Sequence, residues 1–191
     1  MYISKDRITS YEPIRPFMAM NLVTDVSWLA GGAIRSAIAK EPISDYDMFF
    51  RSSIAAANTR IALENKGFEI IFKCPEGKLT TYKSGDMKVQ CITENYYTDM
   101  HELIDSFDIT ACRYSMDGSD RVLTSYSAIR DTLKKRINLH SIEYPVATMK
   151  RIAKYVSKGY VLTNDAAVKF TDSVYERGVE RQELNRRVYI D

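Results

Sequence analysis

Residues 28–35 of the chain read WLAGGAIR, and residues 44–50 read SDYDMFF. The apolar run 26–30 is typical of a buried strand, and the two glycines allow a tight turn into segment 33–40, whose alanines and isoleucines are typical of a helix. A strand, a glycine turn and a helix N-terminus in this order leave backbone N–H groups available to bind an anion. We therefore predict an anion site at Gly31 and Gly32 that suits a triphosphate.

The second stretch predicts two carboxylates on one face of a strand. Asp45 and Asp47 are two residues apart, so in a strand over 45–51 both side chains share a face, with large apolar side chains on the other. Carboxylates this close repel each other unless a cation lies between them, and hard oxygen ligands favour Mg²⁺ or Mn²⁺. Asp45 and Asp47 are therefore predicted metal ligands and catalytic residues that would serve the attack of a hydroxyl on a phosphate. A turn or a solvated strand end would explain either motif alone, but the order of the two motifs favours the functional interpretation.

These motifs resemble the active-site signature of the DNA polymerase β-type nucleotidyltransferase superfamily. The residues around them resemble the head domain of tRNA nucleotidyltransferases and bacterial poly(A) polymerases. The resemblance extends from about residue 26 to residue 160. It implies an α/β (α+β) head with a mixed sheet, assigned to 1–130, followed by a short helical neck, assigned to 131–191. It also implies that Arg35, which is retained after the glycines, counters the charge of the phosphates of an NTP.

A second region of resemblance lies at residues 107–117, which read FDITACRYSMD. Asp108 matches a family aspartate, so the resemblance assigns it a catalytic part in ordering the site and the incoming nucleotide. Two family arginines are replaced here by Ser106 and Phe107. The alternative for Asp108 is a structural acid that caps nearby amides where a helix meets a strand.

A third region, residues 143–160, matches the family segment whose aspartate and arginine read the edge of the incoming ATP or CTP. Tyr144 and Ala147 occupy those two positions. An alanine side chain cannot donate a hydrogen bond to a base, so the base-reading pair is absent and faithful CCA addition is not expected. Gln90 stands where the superfamily often carries a third carboxylate.

The same region contains lysines spaced four residues apart on a predicted helix. Lys150 matches a family arginine and is assigned to nucleotide binding. One interpretation makes Lys150, Lys154 and Lys158 a basic stripe that binds phosphates, but for Lys154 and Lys158 a solvated face is favoured. Met149, Ile152 and Val156 are expected to turn inward.

Hydrophobic patterning predicts the other elements of the chain. Helices are expected over 11–23, 53–66 and 99–107, strands over 68–74, 78–84, 87–93 and 108–116, and mainly helices after 126, with 137–140 extended.

The composition is that of a globular protein. The 191 residues are 45% hydrophobic and 27% charged, enough for one α/β domain and a small appendage. We expect no membrane span and no signal peptide, and the three cysteines lack metal-ligand spacing, so a cytoplasmic protein with reduced thiols is predicted.

Two functional hypotheses follow. The first is a metal-dependent nucleotidyltransferase that moves a nucleoside monophosphate from an NTP to a hydroxyl. An RNA 3′ end is the preferred acceptor, because the resemblance is to RNA-modifying enzymes and because basic residues exceed acidic ones in 131–191. A protein side chain and a small molecule are the other acceptors. The second hypothesis is a non-catalytic nucleotide- or RNA-binding module, which Gln90 favours and the pair Asp45 and Asp47 opposes.

Overall fold

The computed structural model describes residues 1–119 and 121–177. The strands of this part are β1 (Tyr2–Ser4), β2 (Ser27–Ala30), β3 (Tyr46–Phe50), β4 (Glu69–Lys73), β5 (Leu79–Ser84), β6 (Met87–Ile92), β7 (Tyr114–Met116), β8 (Arg121–Thr124), β9 (Arg136–Ile137) and β10 (Val161–Leu162). Its α-helices are α1 (Asp6–Thr9), α2 (Arg15–Met18), α3 (Gly32–Ala39), α4 (Ser53–Asn65), α5 (Met100–Asp105), α6 (Tyr126–Leu133), α7 (Pro145–Ser157) and α8 (Asn164–Arg177).

Strands β1 to β8 form one sheet in the order β1-β8-β7-β2-β3-β6-β5-β4. Strands β3 and β6 pair in parallel, while the other neighbouring strands pair antiparallel. The predicted α+β fold with a mixed sheet is therefore confirmed.

Alternation along the central strands gives the sheet two buried faces. On β2, Leu29 belongs to the large core that the sheet forms with α3 and α4. Its neighbours Trp28 and Ala30 point the other way, into a smaller cluster with α5. Strand β3 repeats this division, since Met48 lies in the large core and Phe49 in the smaller cluster. The odd-numbered residues of β3 thus share the face that α5 covers.

The C-terminal part of the described chain is built on a separate cluster. Strands β9 and β10 form a two-stranded parallel sheet, and α7 and α8 contact each other beside it. Ile137, Ile152 and Tyr160 are buried in this cluster together with Ile109. The division into a head (1–130) and a neck (131–191) stays a prediction: α6 crosses residue 130, and residues 178–191 lie outside the described residues.

Two predicted elements are wrong in extent. The helix expected over 11–23 is instead a 3₁₀ turn at Glu12–Ile14 followed by the short α2, because Pro13 and Pro16 each stand at the start of a new helical segment. The strand expected over 108–116 begins only at Tyr114, since residues 110–112 form a 3₁₀ turn. Strands β1, β8 and β10, of two to four residues each, were not predicted.

Candidate active site

One cleft of about 530 Å³ gathers most of the predicted site residues. Five of these, Gly31, Gly32, Asp45, Asp47 and Asp108, line it together. The other two, Arg35 and Lys150, are absent from its walls. Other lining residues come from α7, from the segment before it and from the residue that follows it, namely Glu143, Tyr144, Ala147, Thr148, Arg151, Lys154, Tyr155 and Lys158.

Strand β3 and the residue before it bring the two acids of segment 44–50 to this cleft. Asp47 lies within β3, in register with Ala30 on one side and Gln90 on the other. Asp45 immediately precedes the strand, and its carboxylate accepts a 3.0 Å hydrogen bond from the Ser44 hydroxyl. Both acids line the cleft, while the alternate residues of β3 are buried in the large core. This is the arrangement that strand alternation predicts.

The glycine turn lies against the carboxylate of Asp47. Gly31 has φ +75° and ψ −129°, a conformation open mainly to glycine. A Cβ atom placed on Gly31 would lie 3.9 Å from Oδ2 of Asp47 and 3.9 Å from Cζ of Phe107. The Gly31 N–H donates to the Tyr114 carbonyl over 3.0 Å, so the predicted anion site rests on the first turn of α3.

The difference between the two glycines leads to a prediction. Gly31→Ala should lower the free energy of unfolding by about 1–3 kcal/mol, because its backbone conformation is strained for any side chain. Gly32→Ala should be nearly neutral, because the nearest atom to its new Cβ is the Tyr155 hydroxyl at 4.0 Å. Urea denaturation of the two variants measures the difference directly. Equal stability of the two proteins would show that the conformation of Gly31 imposes no requirement for glycine.

The donor set of the cleft fits a hard divalent cation. Two carboxylates from one strand face offer oxygen ligands, and Mg²⁺ is commonly held by one or two carboxylates together with substrate phosphates and water. Among residues 1–119 and 121–177, no group of three histidine, cysteine, aspartate or glutamate side chains is arranged to hold a metal ion. A metal ion held by Asp45 and Asp47 would therefore take its remaining ligands from substrate phosphates and water. Gln90, which is buried beside Asp47, places an amide where a third carboxylate would stand.

Asp108 lines the cleft, and its carboxylate accepts hydrogen bonds from neighbouring residues. One carboxylate oxygen accepts the backbone N–H of Ile109 over 2.8 Å. The other accepts the Thr148 hydroxyl and the Arg151 guanidinium, each over 2.7 Å. The capping bond agrees with the structural alternative, and the two bonds to α7 fix that helix across the cleft. A catalytic part for Asp108 stays a prediction, and the contacts indicate that it would act by positioning α7.

Arg35 is assigned to phosphate binding from sequence, which stays a prediction, and the structure places it in other contacts. Its side chain is 1% exposed, and its guanidinium donates to the Ser36 hydroxyl over 2.6 Å and to the Tyr160 hydroxyl over 2.8 Å. It also forms an ion pair with Glu41. Burial by itself would lower the pKa of Arg35, but Tyr155 and Glu41 hold it above its ordinary value. Because the guanidinium is enclosed between α3 and the segment after α7, this placement does not support the predicted phosphate contact.

Lys150 is a second residue whose assignment to nucleotide binding stays a prediction. It is exposed on α7 away from the cleft, whereas Lys154 and Lys158 line the cleft. Residues four apart drift by about 40° around a helix, so Lys150 and Lys158 point about 80° apart. Of the three apolar residues expected to turn inward, Ile152 is buried, but Met149 and Val156 are 48% and 51% exposed.

The orientation of α7 explains why Lys154 lines the cleft and Lys150 does not. Its buried residues include Thr148, Ile152 and Tyr155. The hydrogen bonds that Thr148 and Arg151 donate to Asp108 hold this face toward the site. Sequence reasoning did not single out Arg151, because its partner lies 43 residues earlier in the chain. The one signal in the sequence was the density of basic residues between 150 and 158.

Comparison with known proteins places this chain in a family. Residues 7–135 match the family described as Gabija anti-defense 2 family protein. The chain belongs to this family. A curated relative, Gabija anti-defense 2 of Bacillus phage SPbetaL7, is 24% identical over 143 residues, which cover 74% of this chain and 35% of that protein. The chain thus spans about a third of the length of this curated relative.

Solved structures of tRNA-processing enzymes share the fold. The Thermotoga maritima CCA-adding enzyme complexed with tRNA has a TM-score of 0.70 and 11% identity, over 92% of this chain and 46% of that chain. A CCA-adding enzyme in complex with CTP also gives 0.70, at 11% identity, over 93% and 47%. One in complex with ATP gives 0.69, at 12% identity, over 92% and 47%. These matches show a polymerase β-type nucleotidyltransferase-like fold that resembles the head domain, as the sequence motifs predicted.

The helices of the chain were also expected to include no membrane span. No helix within 1–119 and 121–177 is both long and apolar enough to cross a membrane.

Proposed function

We propose that this member of the Gabija anti-defense 2 family is a metal-dependent nucleotidyltransferase. The observation that carries the proposal is the meeting of Asp45 and Asp47 with the Gly31-Gly32 turn in one cleft. A structural fold alone does not determine a reaction, but these residues supply the parts that nucleotidyl transfer needs: metal ligands and a turn beside a helix N-terminus.

The proposed reaction transfers one nucleoside monophosphate. The acceptor oxygen forms a bond to the α-phosphorus of the NTP, and the bond from that phosphorus to the α,β-bridging oxygen breaks. Pyrophosphate leaves with the electron pair, and the proton of the acceptor hydroxyl passes to solvent. Asp45 and Asp47 would hold the Mg²⁺ or Mn²⁺, which supplies neutralisation of phosphate charge and a lower pKa for the attacking hydroxyl.

An RNA 3′ end is the first acceptor that we propose. The proposal is supported by the fold shared with an enzyme whose structure contains tRNA, and by the basic excess of residues 131–191. We further propose that the transfer serves the anti-defense role from which the family takes its description.

Labelled NTPs test this function and identify the acceptor together. The protein is incubated with each α-³²P-labelled NTP, Mg²⁺ and either total RNA or a cell protein extract, and the products are digested with ribonuclease or protease. We expect label in material that ribonuclease removes. Label in protease-sensitive material would keep the transferase and replace its acceptor. Absence of label in every fraction, from a protein that still binds NTP, would favour the non-catalytic module.

The absence of the base-reading pair predicts that the enzyme accepts more than one NTP. Tyr144 and Ala147 both line the cleft, and Ala147 offers no hydrogen bond to a base edge. Discrimination then rests on shape and stacking, which tolerate different bases. We expect kcat/KM for the four NTPs to differ by less than about a hundredfold. Sequencing of RNA 3′ ends after reaction with all four NTPs checks this, and a uniform CCA triplet would contradict it.

A further inference from the structure

Two lysines, one in α7 and one just after it, line the cleft with no carboxylate partner in the described part of the chain. Among residues 1–119 and 121–177, Lys154 and Lys158 form no salt bridge. The other cations in the wall of the cleft are paired: Lys78 binds two glutamates, and Arg151 binds Asp108. The two ammonium groups are therefore the positive charges of this cleft that no acid of the described chain pairs with directly.

Lys158 and the glycine turn share Tyr155 as a neighbour. Its ammonium nitrogen is 5.8 Å from the centre of the Tyr155 ring. The hydroxyl of that tyrosine lies 4.0 Å from the point where a Cβ on Gly32 would stand. Lys158 is also close enough to Asp45 for the two charges to interact. The lysine thus lines the same cleft as the turn at the start of α3 and interacts with Asp45, one of the proposed metal ligands.

The surroundings of Lys158 disfavour an isolated positive charge. Its burial lowers its pKa, and the nearby Lys154 and Arg35 lower it further, against the opposing effect of Asp45. Two lysines that face one cleft repel each other. A bound anion with several charges would offset both the cost of burying the Lys158 charge and the repulsion between the two lysines.

We propose that Lys158 and Lys154 bind the triphosphate of the NTP. This inference rests on the proposed function, and it gives these lysines the role that the sequence pattern assigned to Arg35 and Lys150. Arg35 is enclosed in the core, and Lys150 lies outside the cleft. Lys154 and Lys158 instead line the cleft together with the glycine turn, Asp45 and Asp47.

The position of the lysines favours a triphosphate over the backbone of an RNA acceptor. A triphosphate concentrates its charge in a small volume, and the two cations stand together near the glycine turn and Asp45. An RNA strand would require unpaired cations that continue along the cleft. Lys78, another cation in the lining of the cleft, is already paired with Glu76 and Glu94.

Binding of inorganic tripolyphosphate and of ATP, measured by calorimetry with Mg²⁺, tests this assignment without requiring turnover. The variants are Lys158→Met and Lys154→Met, which keep an apolar stem of similar length, and the matched control is Lys150→Met on the same helix. We expect each cleft variant to lose about tenfold or more in affinity for both probes, since each removes a charge-assisted hydrogen bond. Lys150→Met should bind as the wild type does, and Lys158→Arg should restore most of the affinity. Circular dichroism verifies that all variants are folded.

The outcomes separate this inference from the transferase itself. Unchanged affinity for tripolyphosphate and ATP in both cleft variants of an active enzyme would refute the phosphate site and leave the transferase standing. The same result with a raised KM for RNA would assign the lysines to the acceptor and likewise refute the proposal. A wild-type protein that transfers nothing, but binds tripolyphosphate through these lysines, would uphold the phosphate site and refute the transferase.

Discussion

Asp45→Asn and Asp47→Asn should each lower nucleotidyl transfer by about 10³-fold or more while the protein stays folded. The loss is expected because each change removes an oxygen charge that would hold the metal and stabilise the transition state. Stability should be unchanged or slightly higher, because two neighbouring carboxylates repel each other. Transfer rates with labelled NTP, together with thermal unfolding of the same samples, measure both effects.

An acid outside the cleft serves as the control for these variants. Asp86 is exposed in the turn between β5 and β6, away from the lining of the cleft, so Asp86→Asn should retain full activity. Wild-type rates in both cleft variants would remove the catalytic assignment of Asp45 and Asp47. A loss of activity that tracked unfolding in the thermal scans would contradict the expected independence of site and fold.

Arg35→Ala should lower the free energy of unfolding by about 3 kcal/mol, because it removes one member of a buried ion pair. Such a removal typically costs about 3–5 kcal/mol. We place this case at the lower end, because Glu41 would keep a 3.0 Å contact with Lys135. The change would also remove the 2.8 Å hydrogen bond to Tyr160, which joins α3 to the segment after α7.

Urea denaturation measures this effect, with Lys66→Ala as a matched loss of an exposed cation. Lys66 caps the end of α4 at the surface, so its removal should change stability by less than about 0.5 kcal/mol. Arg35→Lys should be intermediate, because an ammonium keeps the charge but lacks the planar set of donors. An Arg35→Ala protein with wild-type stability and weakened NTP binding would contradict the structural role and restore the assignment made from sequence.

The parts of the site that depend on neighbouring residues could be predicted from sequence. Alternation in β3 places Asp45 and Asp47 on one face whatever the rest of the chain does, and the turn at Gly31 requires a residue tolerant of positive φ. Both features are encoded within a few residues of where they act. The mixed sheet could be predicted because these short-range patterns resemble those of a known family.

The parts that depend on distant contacts could not be predicted. Arg35 is enclosed because Tyr160, 125 residues later, covers it. The rotation of α7, which selects Lys158 over Lys150 as a wall of the cleft, is set by the hydrogen bonds that Thr148 and Arg151 donate to Asp108. Spacing along one helix shows which residues share a stripe, but only the partners of the helix determine where that stripe points.

Transfer of a nucleoside monophosphate can be followed through the fate of individual phosphorus atoms. Two parallel reactions contain the same protein, Mg²⁺ and RNA, and differ only in whether the NTP is labelled at the α- or the γ-phosphorus. We predict that α-label appears in the acceptor and γ-label in pyrophosphate, and that Asp47→Asn and EDTA each abolish both. Transfer of γ-label to the acceptor, or release of γ-label as inorganic phosphate without incorporation of α-label, would contradict the proposed reaction.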